Sequence, residues 1–261
     1  MANPLVDLAE RLLAGTRLEA PARLAHLWLS GLGKPHGRQS WRYKRAALAI
    51  MERVLGPTSS TVDVGCHRGF FLSRALRLAP QGRHLAIEPI PELAARLRQL
   101  YPRAEVVAAA CADRTGTSSF LRHRAEPGLS SLRPWKSLVD HPAVERIEVP
   151  LTTLDDLVAD WPELRLLKID AMGAQAKVLA GARRTLAVHR PFVLIYNRLV
   201  EGDDVEAVSR ALWNELRVAG LALSRLEDWL AGRPPFEEAS FLACCGHFDG
   251  AEWMFVAHPE D

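Results

Sequence analysis

The 261-residue chain lacks the features that mark several protein classes. It has no run of 18 apolar residues, which excludes an ordinary membrane-spanning helix and gives no sign of a membrane partner. Its start, Met1-Ala2-Asn3-Pro4, has neither a charged lead nor an uninterrupted apolar core, so no signal peptide is expected. Cysteine is scarce: Cys66, Cys111, Cys244 and Cys245. Two are adjacent and none has paired Cys-x-x-Cys spacing, which argues for reduced thiols in a cytoplasmic protein. The formal charge of +2 is too small to imply a nucleic-acid partner. Repeats and low-complexity tracts are missing. The nine histidines give no His-x-x-x-His pair on a predicted helix. Asp170 and Asn197 end neighbouring predicted strands, but two oxygen ligands do not make a magnesium site, so no metal is expected.

What is present is an α/β pattern centred on Thr61 to Phe71. Val62 and Val64 read as the end of a buried strand. Phe70, Phe71, Leu72, Ala75 and Leu76 read as the apolar face of the following helix. Between them, Gly65 and Gly69 mark a tight turn whose backbone N–H groups a ligand could approach closely. The dinucleotide pattern Gly-x-Gly-x-x-Gly is not there; the chain has Asp-x-Gly-x-x-x-Gly instead. The carboxylate of Asp63 disfavours a pyrophosphate and favours an ammonium, such as that of S-adenosylmethionine (SAM). A second strand, His84 to Glu88, ends in an acid about 20 residues beyond the glycines, where a carboxylate accepts from both hydroxyls of a ribose. The pair of signals points to a nucleoside site.

Further strands are predicted at Ala104 to Cys111, Leu164 to Asp170, Phe192 to Tyr196, Leu221 to Leu226 and Trp253 to Ala257. Ser118–Leu121 and Ile147–Leu151 are expected to pair as an antiparallel insertion. Helices are predicted from Pro91, from Thr153 through Trp161, from Ala174 to Leu186 and from Asp203-Asp204 to Gly220. Asp113, at the end of the third strand, is placed to accept from an adenine amine. Before Gly56-Pro57, leucines at helical spacing predict two helices, broken at Gly15 and Gly31-Leu32-Gly33. A basic segment from Lys34 follows, with Trp41 and Tyr43 among Arg38, Arg42, Lys44 and Arg45. Such interleaving suits a phosphorylated or sugar substrate, or a solvated helix entry. The expected division is a helical extension over 1–56 and a catalytic domain over 57–261.

In this order the residues resemble class I SAM-dependent methyltransferases, and most closely the FkbM-type family. The carrying pieces are Val62-Asp63-Val64-Gly65, Ile87-Glu88-Pro89, Ala112-Asp113-Arg114-Thr115-Gly116, Ser130-Ser131-Leu132, Val149 to Asp156, and Leu167-Lys168-Ile169-Asp170 with Val178-Leu179-Ala180-Gly181-Ala182. The resemblance implies a doubly wound, mostly parallel seven-stranded sheet (Rossmann-like) with its last strand antiparallel. It implies SAM as cofactor and methyl transfer, mostly to a hydroxyl of a sugar or natural-product small molecule. By the same resemblance Asp63, Gly65 and Gly69 wall the methionine side, with Cys66, His67 and Phe70 in the same turn. Glu88 and Pro89 hold the ribose, Ala112 and Asp113 the adenine, and Asp170 faces the methyl group.

Two departures fall on the acceptor side. The family's Val-Glu-Gly after Lys-Ile-Asp is here Ala171-Met172-Gly173, and the acid near the end of the fifth strand is replaced by Tyr196-Asn197. Asp170 is the first expected general base, His67 the second and His123 the third. The loss of acids also leaves open a methyltransferase-like scaffold without catalysis. A nicotinamide oxidoreductase lacks its glycine pattern, and a base methylase lacks Asn/Asp-Pro-Pro-aromatic. The N-terminal helices are expected to form a lid over the substrate mouth or, equally, a homodimer contact.

Overall fold

Short, fully buried strands build the centre of the molecule, and helices cover both faces. The computed structural model describes residues 4–14, 16, 18–31, 37–245 and 254–260. Gly15, Leu32, Gly33, Lys34 and Trp253, used above to set element ends, lie outside them. Helices α1 (Pro4–Leu13), α2 (Glu19–Gly31) and α3 (Gly37–Val54) lead into β1 (Thr61–Val64) and α4 (Phe70–Leu78). Next come β2 (His84–Ile87), α5 (Pro91–Leu100), β3 (Glu105–Val107), β4 (Ala110–Cys111) and β5 (Gly116–His123). Then follow α6 (Lys136–Val139), β6 (Val144–Thr152), α7 (Leu154–Leu157), β7 (Leu166–Ile169), α8 (Gln175–Ala180), α9 (Arg183–His189) and β8 (Phe192–Tyr196). The chain continues through α10 (Val205–Val218), β9 (Leu221–Arg225), α11 (Leu226–Leu230), α12 (Glu238–Cys245) and β10 (Met254–Pro259).

The main sheet has the order β3-β2-β1-β7-β8-β10-β9. Pairings from β3 to β8 are parallel, and β10 runs antiparallel to both β8 and β9. This is the doubly wound seven-stranded sheet expected from the sequence. Alternate residues divide between its faces. Val62, Val64, Leu167, Ile169, Val193 and Ile195 pack with Val178, Leu186, Leu212 and Leu216 on one side. Leu166, Leu194, Met254 and Val256 pack on the other with Tyr43, Ala47, Ile50 and Met51 of α3. The expected division at residue 56 therefore follows a helix that is itself part of the core.

A second sheet, β4-β6-β5, carries the insertion. Its antiparallel pair runs in register from Gly116↔Leu151 to His123↔Val144, longer than the two short runs predicted. The predicted third strand divides: Glu105–Val107 stays in the main sheet, whereas Ala110–Cys111 pairs with β6. The predicted helix over Ala174–Leu186 is also interrupted, at Gly181. A Cβ there would stand 2.0 Å from the Ala112 carbonyl oxygen, so two pieces of backbone meet at this break. The helix begun at Thr153, whose hydroxyl accepts from the Asp156 N–H, ends at Leu157 rather than Trp161. Asp204 caps α10 through the Ala207 N–H. Helices α11 and α12 were not anticipated.

Candidate active site

Strand order reverses at β1, which has β2 on one side and β7 on the other, and ligands of such sheets lie outside the carboxyl ends at this crevice. A cavity of about 490 Å³ opens there, a volume ordinary for a small-molecule site. It crosses the ends of β2, β1, β7 and β8 and runs under α2 and α3. Gly65, Cys66, His67, Phe70, Glu88, Pro89 and Asp170 line it, as do Ile90, Ala110, Cys111 and Phe120 on one side and Lys44, Tyr196 and Arg198 on the other.

The glycine turn is shaped by packing. Gly65 has φ 69°, and a Cβ on it would stand 2.0 Å from the Asp170 carbonyl oxygen, where β1 and β7 end side by side. Gly69, with φ 77°, caps α4, and a Cβ there would meet the Tyr101 ring at 2.6 Å. Between them His67 adopts φ 54°. Its N–H donates to Glu88 Oε2 at 2.8 Å, and the Ile90 N–H donates to Oε1 at 3.0 Å. Glu88 thus ties the turn to the end of β2. It is 4% exposed. Burial pushes its carboxyl up to about 7, against the two N–H bonds that pull it down. Each oxygen keeps a lone pair for a ribose hydroxyl.

Four expected residues do not line the cavity. Asp63 is buried behind the turn; in the ladder it stands opposite Lys168, whose Nζ lies 2.9 Å from Oδ1. Gly69 is turned into α5. Ala112 is buried beneath Gly181. Asp113 is exposed, with Arg114 Nη1 3.9 Å away. The end of the cavity past Glu88 is apolar rather than acidic. Among the base candidates, burial and then Arg68 push His67 down to about 4. Asp170 pairs with Arg198 at 3.6 Å. His123 sits outside the cavity, its Nδ1 accepting from the Glu126 N–H and its ring tilted against that of His141, 4.4 Å between centres. Burial and then Asp63 raise the Cys66 thiol well above its usual range, so it stays a thiol. Asn197 is buried away from the cavity, its amide 3.3 Å from Ser209 Oγ.

Sequence reasoning expected the N-terminal helices over the substrate mouth but did not single out which of their residues reach the cavity. Of the basic segment, Tyr43 is in the core, Arg42 pairs with Glu227 and Arg45 lies over Trp41. Ser40 and Lys44, one helical turn apart, reach the cavity. Burial, against the charge of Asp170, pulls Lys44 down to about 8. From α2, Arg23 donates to the Arg68 carbonyl at 2.9 Å and pairs with Glu19 at 3.0 Å. The Tyr101 hydroxyl donates to Glu19 at 2.5 Å. This buried set fastens α2 to the glycine turn and to the end of α5. Helical spacing was the available signal; a polar run hid it.

A seven-stranded sheet with one antiparallel strand, and a cavity where its order reverses, give the architecture of the class I methyltransferases. The residues fit SAM: a buried carboxylate for the ribose, apolar walls beyond it for a base, and a polar end past the turn. The chain belongs to the FkbM methyltransferase family, whose methyltransferase domain matches residues 63–219, and its cofactor is SAM. The 2-O-methyltransferase NoeI of Sinorhizobium fredii (strain NBRC 101917 / NGR234) is 25% identical over 215 residues, covering 76% of this chain and 86% of that protein. Among solved structures, Methanococcus jannaschii fibrillarin aligns at 13% identity over 83% of this chain and 74% of its own, with a TM-score of 0.44. An rRNA methylase from Streptococcus thermophilus aligns at 12% over 82% and 95%, with a TM-score of 0.43. The family assignment rests on the domain match and not on these two.

Proposed function

We propose that the protein transfers the methyl group of SAM to a hydroxyl oxygen of a sugar or natural-product small molecule. The observation that carries this reading is the extent of the cavity. It continues past Gly65 and Asp170 to Tyr196, Arg198 and the undersides of α2 and α3, which leaves room for an acceptor beyond the nucleoside. The relationship to a 2-O-methyltransferase supports oxygen as the target. Bound SAM supplies a methyl group on a sulfonium, whose departing bond electrons return to sulfur. In this reading Glu88 holds the ribose, while Ile90, Cys111 and Phe120 flank the adenine. α1 and α2 form a lid, with Arg23 fastening it over the turn. His67, neutral and weakly basic at physiological pH, is a poor proton acceptor, and Asp170 has Arg198 Nε 3.6 Å away. Catalysis then rests mainly on alignment of the acceptor with the methyl group, the hydroxyl proton passing to solvent at the cavity mouth as the new C–O bond forms.

The test is incubation with methyl-labelled SAM and a panel of sugars and hydroxylated small molecules, each beside its O-methylated and amino counterparts, with products read by mass spectrometry. Label is expected in a methyl ether, with S-adenosylhomocysteine formed in equal amount. Label confined to nitrogen would defeat the reading, as would the absence of transfer by protein that binds SAM.

A further inference from the structure

We propose that Lys44 and Asp170 receive the amino-acid end of SAM, Lys44 taking the carboxylate and Asp170 the ammonium. The inference rests on SAM being the cofactor. Asp63 is the partner an ammonium would be given from sequence, and the structure removes it from that role. Lys168 Nζ already lies 2.9 Å from its carboxylate and donates to the Val64 and Gly65 carbonyls at 3.2 and 2.7 Å. The oxygens at the end of β1 are thus held by an ammonium of the chain itself. The next acid along the crevice is Asp170, at the end of β7, whose side chain is 28% exposed and lines the cavity. From the end of β2, where Glu88 stands, to the end of β7 is two strand spacings, about 10 Å. The 5′ carbon, the sulfur and the methionine carbons of a bound SAM would span that distance.

Lys44 supplies the opposite charge. It comes from α3, ahead of the family-matched residues. Its Nζ lies 5.0 Å from the centre of the Phe70 ring. Among the described residues it makes no hydrogen bond or ion pair. The charged groups facing it are Asp170, Lys168, Arg198 and Arg23. The last three have carboxylates of their own: Asp63, Asp170 and Glu19. Lys44 is therefore the cation short of an anion. A desolvated cation costs stability unless an anion joins it, and a carboxylate arriving beside it, with its ammonium toward Asp170, completes the set.

The experiment is calorimetric titration with two ligands: S-adenosylhomocysteine, and 5′-methylthioadenosine, which keeps the nucleoside and thioether but lacks the amino-acid group. Lys44→Met is expected to weaken S-adenosylhomocysteine at least tenfold and to leave 5′-methylthioadenosine within twofold. Lys44→Arg should recover most of the loss, and Asp170→Asn should show the same split between ligands as Lys44→Met. Should Lys44→Met fail to fold, Lys44→Gln carries the same expectation. Unchanged S-adenosylhomocysteine affinity in folded Lys44 variants, or equal losses for both ligands, would overturn the inference. So would Asp170→Asn that keeps affinity while turnover falls about a hundredfold, since Asp170 would then be the general base. If the wild-type protein binds neither ligand, the cofactor assignment fails first and this inference with it.

Discussion

Lys168 stands directly across the β1–β7 ladder from Asp63, its Nζ 2.9 Å from the carboxylate, with both side chains buried at the centre of the sheet. Burial alone would pull the Lys168 ammonium down; Asp63 and then Asp170 more than offset it, and the net direction is upward. Cross-strand partners on one face are near neighbours by geometry, so the pair needs no side-chain reach. Replacing Lys168 by Met leaves Asp63 as an unpaired buried charge, and a cost of about 3–5 kcal/mol is expected. Urea denaturation measures it. The double variant Asp63→Leu/Lys168→Met should cost less than Lys168→Met alone. A double variant that costs as much as the two single changes added would show that the pair is not coupled.

Glu88 predicts a pH signature in the ligand-free protein. Its folded pKa of about 7 lies above the ordinary value of 4.5. The folded state therefore binds more protons than the unfolded state between these values. The contribution to stability is full below pH 4.5 and is lost as pH rises through 7. Ligand binding runs the other way, because a ribose diol donates to the ionised form. Affinity for 5′-methylthioadenosine should rise as pH passes from 6 to 8. Glu88→Gln should flatten both profiles and weaken binding, and Glu88→Ala should weaken it strongly. Thermal melts and calorimetry across this range check both; a wild-type affinity independent of pH would remove Glu88 from the ribose.

Lys44 predicts the opposite slope. Its folded pKa of about 8 lies below the ordinary 10.5. The cost of keeping it charged in the fold is full below pH 8 and is relieved as pH rises toward 10.5, so this group makes the ligand-free protein more stable in that window. Lys44→Met should raise stability at pH 7 by roughly 1–3 kcal/mol, allowing for partial exposure, and the gain should shrink by pH 10. Equal stabilities of the two proteins at pH 7 would contradict this.

The fastening of α2 is open to a direct test. Arg23 joins Glu19, the Tyr101 hydroxyl and the Arg68 carbonyl. In Arg23→Met, Glu19 is left buried without its guanidinium, and α2 should open more often. Hydrogen exchange is expected to quicken in α2 amides by tenfold or more while the strands of the main sheet keep their protection. Equal acceleration in β1 and β7 would mean that Arg23 supports the whole fold and not the lid.

What the sequence made legible was the part of the site carried by a single strand and the turn after it. Val62 to Gly65 and His84 to Glu88 show their burial and their terminal acids within a few residues; β1 ends where the reading put it and β2 one residue earlier, at Ile87. The fate of Asp63 was not legible, because it depends on the residue opposite, and register between strands a hundred positions apart is not written locally. Asp113 followed from treating Ala104–Cys111 as one strand. Alanine and valine gave no sign that the chain changes sheets near Ala109, and with that change Asp113 lands in an exposed turn. Lys44 was hidden differently: it is one cation in a row of cations, and only the packing of Tyr43, Ala47 and Met51 decides which way it faces.

The position of β10 in the sheet bears on how the polypeptide matures. It is the last of the described strands in chain order, yet it sits between β8 and β9 rather than at an edge. During synthesis β8 presents an open flank and β9 has no neighbour in the sheet until β10 emerges. The first long helix with a described apolar face, α3, must likewise wait for Met254 and Val256 to complete its contacts. Closure of the sheet is thus a late event that joins distant parts of the chain, which makes for slow folding and a long exposure of unpaired strand edges. Chaperone dependence on the ribosome, and a tendency to aggregate when residues 254–259 are removed, would be the cellular face of that arrangement.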